Sequence, residues 1–231
     1  MNFSGFQKLT LLDYPEHVAC TLFTKGCNFR CPFCHNALLV TETQEKGETY
    51  SDESVLSYLT KRVGILDGVC ITGGEPLLQK ELPDFIRKVK ALGYQVKLDT
   101  NGSFPDRLAS LVNEGLLDYV AMDIKNSMER YGETIAVPDF DTTPIEESID
   151  FLLEGRVAYE FRTTVVAEFH TTQDIVAIAK RIQGAPKYFL QIFVDSGCLI
   201  GENLHSVDKN VMENMKNAAA EHLSEVSLRG L

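Results

Sequence analysis

Apolar runs alternate with helix-like segments along the whole 231-residue chain, and this alternation limits the possible folds more than any other feature. Helix signals lie between the runs: Pro83 and Pro105 stand near two helix starts, and Gly93 follows a helix end. Strands that alternate with helices pair in parallel through crossover connections, so the pattern predicts an α/β fold. Six runs have the length and composition of buried strands: 18–24, 68–72, 94–100, 117–124, 157–166 and 187–194.

The chain has no internal repeat, low-complexity tract or Pro/Gly-rich linker that would divide it. Six consecutive βα units therefore predict one partial (β/α)6 barrel, with residues 1–231 as a single domain. In barrels of this kind the chemistry collects at the carboxyl ends of the strands. Residues just after each strand are the first candidates for function.

The charge and hydrophobicity of the chain limit its partners. A formal net charge of −11 opposes binding to nucleic acid and to anionic lipid. No run approaches the roughly 20 apolar residues of a spanning helix, and the start MNFSGFQKLT lacks the features of a secretory signal. We expect a cytoplasmic protein with no nucleic-acid or membrane partner.

Three of the six cysteines, Cys27, Cys31 and Cys34, follow the first predicted strand in the loop TKGCNFRCPFCHN. Thiolates are soft ligands for zinc or for Fe–S clusters, and one short loop can wrap one metal centre. Three thiolates on a [4Fe–4S] cubane would leave one iron open to another ligand. A structural Cys3His zinc site with His35 is the alternative, although such sites usually draw on two separated pairs and the sequence holds no second pair.

The other cysteines and histidines have no metal-ligand spacing. Cys20, Cys70 and Cys198 lie on or beside predicted strands, and we expect them to be small buried hydrophobic residues. We expect the histidines outside the cysteine loop to be surface or loop residues: His17, His170, His205 and His222.

Glycine and charged residues lie at the carboxyl ends of the next three predicted strands. Gly73 and Gly74 in ITGGEP would let the backbone approach a ligand, although a plain strand-to-helix turn has the same composition. Asp99 in LDTNG, and Asp123 with Lys125 in AMDIK, would face the same mouth, where carboxylates bind ammonium or a cation; LDTNG also suits a plain turn.

Arg162 stands among apolar residues in the fifth predicted strand, YEFRTTVV. Burying an unpaired guanidinium is costly, so we expect it to face the barrel interior with a partner. The sequence leaves open whether that partner makes a structural salt bridge or is a bound ligand.

The Cys-x3-Cys-x2-Cys spacing, with Phe33 just before the third cysteine, resembles the radical S-adenosylmethionine (radical SAM) superfamily, and the strand-end motifs extend the resemblance over nearly the whole chain. The resemblance implies the partial (β/α)6 barrel of the radical SAM type, with a [4Fe–4S] cluster on the three cysteines. It also implies that the open iron chelates S-adenosyl-L-methionine, which the reduced cluster cleaves to methionine and a 5′-deoxyadenosyl radical.

The same resemblance implies roles for single residues. Phe33 would pack near the adenine, and Gly73, Gly74 and Glu75 would help to hold the methionine amino group. By resemblance to glycyl-radical-activating enzymes, three residues would contact the bound S-adenosylmethionine: Asp99, Lys125 and Arg162. A monovalent cation would be held by another three: Asp99, Thr100 and Asp123.

The stretch GFQKLTLLDYPEHVACTLFTKGCNFRCPFCHN resembles the anaerobic ribonucleoside-triphosphate reductase activating proteins, chiefly in its Leu-Asp-Tyr-Pro lead-in and its Cys-His-Asn close. This implies an activase that installs a glycyl radical on that reductase, with a flavodoxin- or ferredoxin-type reductant. The alternatives are a pyruvate formate-lyase activating enzyme, a radical SAM enzyme acting on a small molecule or peptide, and a metal-bearing binding module without catalysis. Activators with a ferredoxin-like insertion are excluded, because residues 35–69 contain no cysteine.

Overall fold

The computed structural model describes residues 1–41, 49–195 and 197–230. Its strands, in chain order, are β1 (Asn2–Phe3), β2 (Gly5–Thr10), β3 (Ala19–Thr24), β4 (Tyr50–Ser51), β5 (Gly68–Gly73), β6 (Gln95–Thr100), β7 (Tyr119–Asp123), β8 (Ala158–Val165), β9 (Tyr188–Ile192) and β10 (Val226–Arg229). Eight of them form one sheet in the order β10-β9-β8-β7-β6-β5-β3-β2. All neighbours from β3 to β10 are parallel, whereas β2 is antiparallel to β3.

Helices connect the parallel strands. They are α1 (Ala37–Thr41), α2 (Asp52–Thr60), α3 (Leu82–Ala91), α4 (Pro105–Asn113), α5 (Tyr131–Thr134), α6 (Thr143–Leu153), α7 (Thr172–Arg181) and α8 (Lys209–Ala220). Pro83 and Pro105 lie in the first turns of α3 and α4, where a missing backbone N–H costs no hydrogen bond. No helix in the part of the chain that the structure describes is long and apolar enough to cross a membrane.

The six predicted strands are β3 and β5 to β9, each matched to within two residues at both ends. The prediction of an α/β fold is therefore confirmed. The sequence pattern missed β2 and β10, the two outer strands of the sheet. No hydrogen-bonded ladder joins these outer strands within the described ranges, so the sheet stays open, in agreement with the predicted partial barrel.

Strand alternation gives the sheet one apolar and one polar face. On β6, Val96 and Leu98 are fully buried on one face, whereas Lys97 and Asp99 project from the other. On β8, Glu160 and Arg162 are two residues apart and so share a face, from which Arg162 reaches Asp99. The polar face therefore lines the interior of the partial barrel, where charged groups from several strands meet.

A cluster of four side chains, which we call the floor cluster, closes one part of this interior: Tyr14, Tyr119, Glu160 and Arg229. Tyr14 is 2% exposed, lies against Gly68 at the start of β5, and has its ring centroid 6.1 Å from that of Tyr119. Tyr119 donates its hydroxyl to Glu160 at 2.9 Å, and Arg229 donates two N–H groups to the same carboxylate at 2.6 and 3.0 Å. Tyr14 of the Leu-Asp-Tyr-Pro segment thus lies against the amino end of β5.

Candidate active site

One cavity of about 420 Å³ lies among the carboxyl ends of the parallel strands. Its volume is in the range of small-molecule and cofactor sites. All the predicted site residues except Glu75 line it: Cys27, Cys31, Phe33, Cys34, Gly73, Gly74, Asp99, Thr100, Asp123, Lys125 and Arg162. Residues spread over more than half of the chain therefore meet at one place.

The two glycines of ITGGEP bring the end of β5 against the cysteine loop. A Cβ on Gly74 would lie 1.9 Å from the carbonyl oxygen of Gly26, and a Cβ on Gly73 would lie 2.4 Å from the backbone nitrogen of Thr24. Gly73 also has a φ of +115°, which side-chain-bearing residues rarely adopt. The Glu75 N–H donates to the Gly26 carbonyl at 2.8 Å. The glycine pair is thus required by the packing of the protein itself, before any ligand binds.

Burial raises the pKa of all three loop thiols, and that of Cys31 rises to about 12. The ammonium group of Lys125 works in the opposite direction on each of them. Metals bind thiolates, so loading this site with metal must release protons.

The donor set suits an iron–sulfur cluster. The three thiols line one cavity, and no fourth cysteine joins them among the described residues that line it. A [4Fe–4S] cluster takes cysteines on different irons, so its ligands surround a volume and need not converge on one ion. Across the described ranges, no three His, Cys, Asp or Glu side chains converge so as to hold a single metal ion. His35 also lines the cavity, with its ring centroid 5.8 Å from that of Phe193.

Five charged side chains form a row beside the thiols, which we call the charge ladder: Lys97, Asp99, Arg162, Asp123 and Lys125. Arg162 bonds Asp99 through Nη1 at 3.2 Å and Asp123 through Nε at 2.9 Å. Lys97 pairs with the other oxygen of Asp99, and Lys125 with the other oxygen of Asp123 at 3.3 Å. Every carboxylate oxygen of the ladder therefore has its own cationic partner, and the predicted interior partner of Arg162 is a pair of carboxylates.

The ion pairs of the charge ladder keep its two carboxylates ionised. Burial works against the charge on Asp123, but Arg162 and then Lys125 outweigh it and lower the pKa of Asp123 to about 2. Arg162 and Lys97 likewise lower the pKa of Asp99 against the effect of burial. Within the ladder three cations stand against two carboxylates, but Lys97 does not line the cavity, whereas a third carboxylate, Asp13, does. Lys125 and Arg162 are the two ladder cations that line the cavity and could meet a ligand carboxylate.

The predicted cation ligands lie together but are already engaged. Arg162 and the two lysines hold the oxygens of Asp99 and Asp123. The Thr100 hydroxyl donates to Glu75 at 2.8 Å and accepts the Gly102 N–H at 3.2 Å. In this arrangement a monovalent cation has no room between the carboxylates unless the guanidinium of Arg162 leaves.

Glu75 is the predicted site residue that the structure does not bring to the cavity wall. It is completely buried, and burial raises the pKa of Glu75 to about 7. Its carboxylate accepts hydrogen bonds from the Leu77 N–H at 3.0 Å, the Thr100 hydroxyl at 2.8 Å and the Asn101 N–H at 2.8 Å. Glu75 therefore fastens the turn after β6, and direct contact with a ligand amino group is not available in this arrangement.

His170, predicted to be a surface or loop residue, lies in the loop between β8 and α7 and packs behind the cavity wall. His170 is 4% exposed; its Nδ1 accepts the Val166 N–H at 3.1 Å, and its Nε2 lies 2.8 Å from the Lys125 carbonyl. Nε2 therefore carries the proton and donates it. The ring also lies 6.3 Å from that of Phe33. His170 is a loop residue, as predicted, but its side chain is buried, because the folded chain brings the segment after β8 under the Lys125 loop.

The structure also tests the predicted burial of the three cysteines outside the loop. Cys20 and Cys70 are buried as predicted, whereas Cys198 is exposed, so the prediction for Cys198 was wrong.

The sequence analysis missed several residues that line the cavity. Their position at a strand end or in the cysteine loop is the signal that could have identified them: Asn36, Thr72, Asn101, Thr164 and Gln191.

Similarity to known proteins shows the family of this chain. The radical SAM superfamily model matches residues 21–182. A Methanocaldococcus jannaschii protein, provisionally named a glycyl-radical enzyme activating enzyme, is 31% identical over 234 residues, covering 98% of this chain and 95% of its own.

Two solved structures share the fold. Streptococcus suis SuiB bound to S-adenosylmethionine has a TM-score of 0.69 at 11% identity, over 90% of this chain and 49% of its own. A domain of a pyruvate-formate lyase-activating enzyme from Bacteroides vulgatus has a TM-score of 0.58 at 17% identity, over 71% of this chain and 99% of its own. The chain belongs to the radical SAM superfamily, which implies a [4Fe–4S] cluster and S-adenosylmethionine, and it is an enzyme related to the glycyl-radical enzyme activating enzymes.

Proposed function

We propose that this enzyme is a cytoplasmic activase that installs a glycyl radical on an anaerobic ribonucleoside-triphosphate reductase. One observation carries the proposal: three loop thiols, the glycine edge of β5 and the ion-paired side chains of Asp99, Arg162, Asp123 and Lys125 line the same cavity. The near full-length similarity to a protein named as such an activating enzyme supports the reaction class.

In this proposal Cys27, Cys31 and Cys34 hold the cluster. When bound, the reduced cluster supplies one electron to the sulfonium of S-adenosylmethionine, which breaks a carbon–sulfur bond and yields methionine and a 5′-deoxyadenosyl radical. Lys125 and Arg162 line the cavity and would donate hydrogen bonds to the methionine carboxylate.

A glycine of the partner enzyme would supply the hydrogen atom, and the products would be 5′-deoxyadenosine and a glycyl radical on the partner. Atoms and electrons balance without any proton transfer, so no side chain has to act as a general base. Phe33 is 4% exposed and lines the cavity, where we propose that it packs against the adenine.

The choice of partner rests on the Leu-Asp-Tyr-Pro lead-in and the Cys-His-Asn close. Asp13 of the lead-in lines the cavity and accepts the Thr21 hydroxyl at 2.5 Å, so this motif contributes to the interior of the site. We propose a flavodoxin- or ferredoxin-type protein as the source of the electron.

The test is an electron paramagnetic resonance experiment under anaerobic conditions. The iron-loaded enzyme, S-adenosylmethionine and a reductant are mixed with the anaerobic ribonucleoside-triphosphate reductase of the same genome or, in parallel, with a pyruvate formate-lyase. A glycyl-radical doublet with the reductase supports the proposal, and Cys31→Ala should remove it. A doublet with the lyase alone would overturn the choice of partner, and 5′-deoxyadenosine formed without a doublet in either sample would favour a small-molecule or peptide substrate.

The finer proposal of a monovalent cation on Asp99, Thr100 and Asp123 requires Arg162 to move when the ligand binds. Under that condition, potassium should strengthen S-adenosylmethionine binding in the wild type, and it should do so more in Arg162→Gln, which vacates the position. Calorimetric titration with and without potassium measures both effects. Equal affinity in both solutions for both proteins would remove the cation from the site.

A further inference from the structure

Asn101 follows β6, is 6% exposed and lines the cavity beside the cysteine loop. Its side-chain nitrogen lies 3.7 Å from the sulfur of Cys27 and 3.0 Å from the carboxamide oxygen of Asn28. A carboxamide nitrogen has two hydrogens, and these two acceptors account for both.

The orientation of this carboxamide is set by Ser103. The oxygen of Asn101 accepts the Ser103 backbone N–H at 3.0 Å and the Ser103 hydroxyl at 2.6 Å. A backbone N–H can only donate, so the oxygen must face Ser103 and the nitrogen must face the thiol. Asn28 donates to the same hydroxyl at 2.9 Å and closes the ring of contacts.

The backbone of Asn101 is held from the other side. Its N–H donates to the buried carboxylate of Glu75 at 2.8 Å, and the second oxygen of Glu75 holds Thr100 at 2.8 Å. Glu75, Asn101 and Cys27 therefore form a brace between the end of β5, the turn after β6 and the cysteine loop. This gives the glutamate of ITGGEP a role that needs no contact with the ligand.

The brace distinguishes Cys27 from the other two cysteines. The Phe29 N–H also donates to the Cys27 sulfur, at 3.4 Å. Within the described ranges, Cys31 and Cys34 have no such side-chain donor. N–H groups that point at a ligating sulfur favour the more negative, reduced state of a cluster.

We propose that Asn101 is a positioning residue that aims the Cys27 sulfur and raises the reduction potential of the cluster which that cysteine holds. The inference rests on the proposed function only in that Cys27 ligates an iron; it does not depend on which substrate the enzyme attacks.

The experiment compares loaded variants by redox titration, each normalised to its iron and sulfide content. Asn101→Leu should shift the potential to a more negative value, with the reduction equilibrium up to about tenfold less favourable, equivalent to about 59 mV for one electron. Asn101→Ala removes the donor without adding bulk and keeps the backbone N–H that binds Glu75, so a shift of the same sign is expected. The wild-type enzyme, loaded in the same way, is the reference for each variant.

An Asn101→Leu potential equal to that of the wild type would overturn the inference. If Asn101→Leu does not hold iron, Asn101→Ala decides in the same way: an unchanged potential overturns the inference, and a shift to a more negative potential supports it. If the reduction potential shifts in Asn101→Leu but neither partner enzyme gains a glycyl radical, the inference about Asn101 is supported and the proposed function is wrong.

Discussion

Two arginine–carboxylate systems lie on the same face of β8, two residues apart, and they differ in how completely their charges are paired. In the floor cluster, Glu160 is 1% exposed and Arg229 engages both of its oxygens, at 2.6 and 3.0 Å. In the charge ladder, Arg162 spans Asp99 and Asp123, and the two lysines at its ends leave one positive charge in excess.

The difference separates stability from function. The floor cluster is neutral and complete, because the one carboxylate meets one guanidinium and the Tyr119 hydroxyl. Four of the five ladder groups, all except Lys97, line the cavity, where a ligand anion could reach Lys125 and Arg162. In barrels, the carboxyl ends of the strands carry chemistry and the amino ends carry stability. Variants at the two places should therefore fail in different assays.

The largest effect is expected from removing a cysteine of the cavity. Cys31→Ala should abolish iron retention and reductive cleavage of S-adenosylmethionine, because two thiolates cannot hold the cluster. Iron analysis and chromatographic detection of 5′-deoxyadenosine measure both. Cys20→Ala is the control, since Cys20 is fully buried on β3 and lies away from the cavity wall; cleavage by Cys31→Ala at the control rate would contradict the site.

The next comparison removes each arginine in turn. Arg229→Met leaves Glu160 buried without its cation, which should lower the free energy of unfolding by about 3 kcal/mol. Arg162→Met leaves Asp99 and Asp123 each with a lysine, so we expect a smaller loss, about 1.5 to 3 kcal/mol.

Binding should reverse that order. Arg162→Met should weaken S-adenosylmethionine binding at least tenfold, whereas Arg229→Met should leave it unchanged under conditions where the protein is folded. Urea unfolding and calorimetric titration give the two quantities. The assignment of separate roles would be wrong if both variants lost stability and binding to the same extent.

A pair of glycines provides a steric version of the same comparison. A Cβ on Gly74 would clash with the Gly26 carbonyl at 1.9 Å and displace the cysteine loop, whereas a Cβ on Gly68 would meet the Tyr14 ring at 2.8 Å. Gly74→Ala should therefore lower the iron content per chain. Gly68→Ala should keep its iron and lose about 1 to 3 kcal/mol of stability, the usual range for overpacking. Full iron loading of Gly74→Ala would refute the packing role of that glycine.

The smallest expected effect is a pH dependence from His170. Burial lowers the pKa of His170 below its ordinary 6.5. The unfolded chain therefore binds a proton that the folded chain resists, and stability falls as the pH drops below about 6.5. His170→Gln should reduce this loss between pH 8 and pH 5.5, measured as urea midpoints. His222→Gln is the control, and an equal change in both variants would show that the His170 environment is not the cause.

The sequence predicted the strands that are buried on both faces and missed those at the edges. β5 reads Gly-Val-Cys-Ile-Thr-Gly, an apolar run that parallel pairing requires. β2 and β10, at the edges of the sheet, read Gly-Phe-Gln-Lys-Leu-Thr and Val-Ser-Leu-Arg. Such edge strands need no continuous apolar run, and their sequences resemble loops.

By itself, the sequence determined the fold class, the cysteine loop and the set of strand-end residues, because hydrophobic period and ligand spacing are local properties. Only the tertiary structure decided which groups meet. It paired Arg162 with Asp99 across β7, placed Glu75 behind the cavity wall and aimed Asn101 at Cys27. These contacts join residues up to 74 positions apart, and their distances depend on strand register and on the close approach of β5 to the loop.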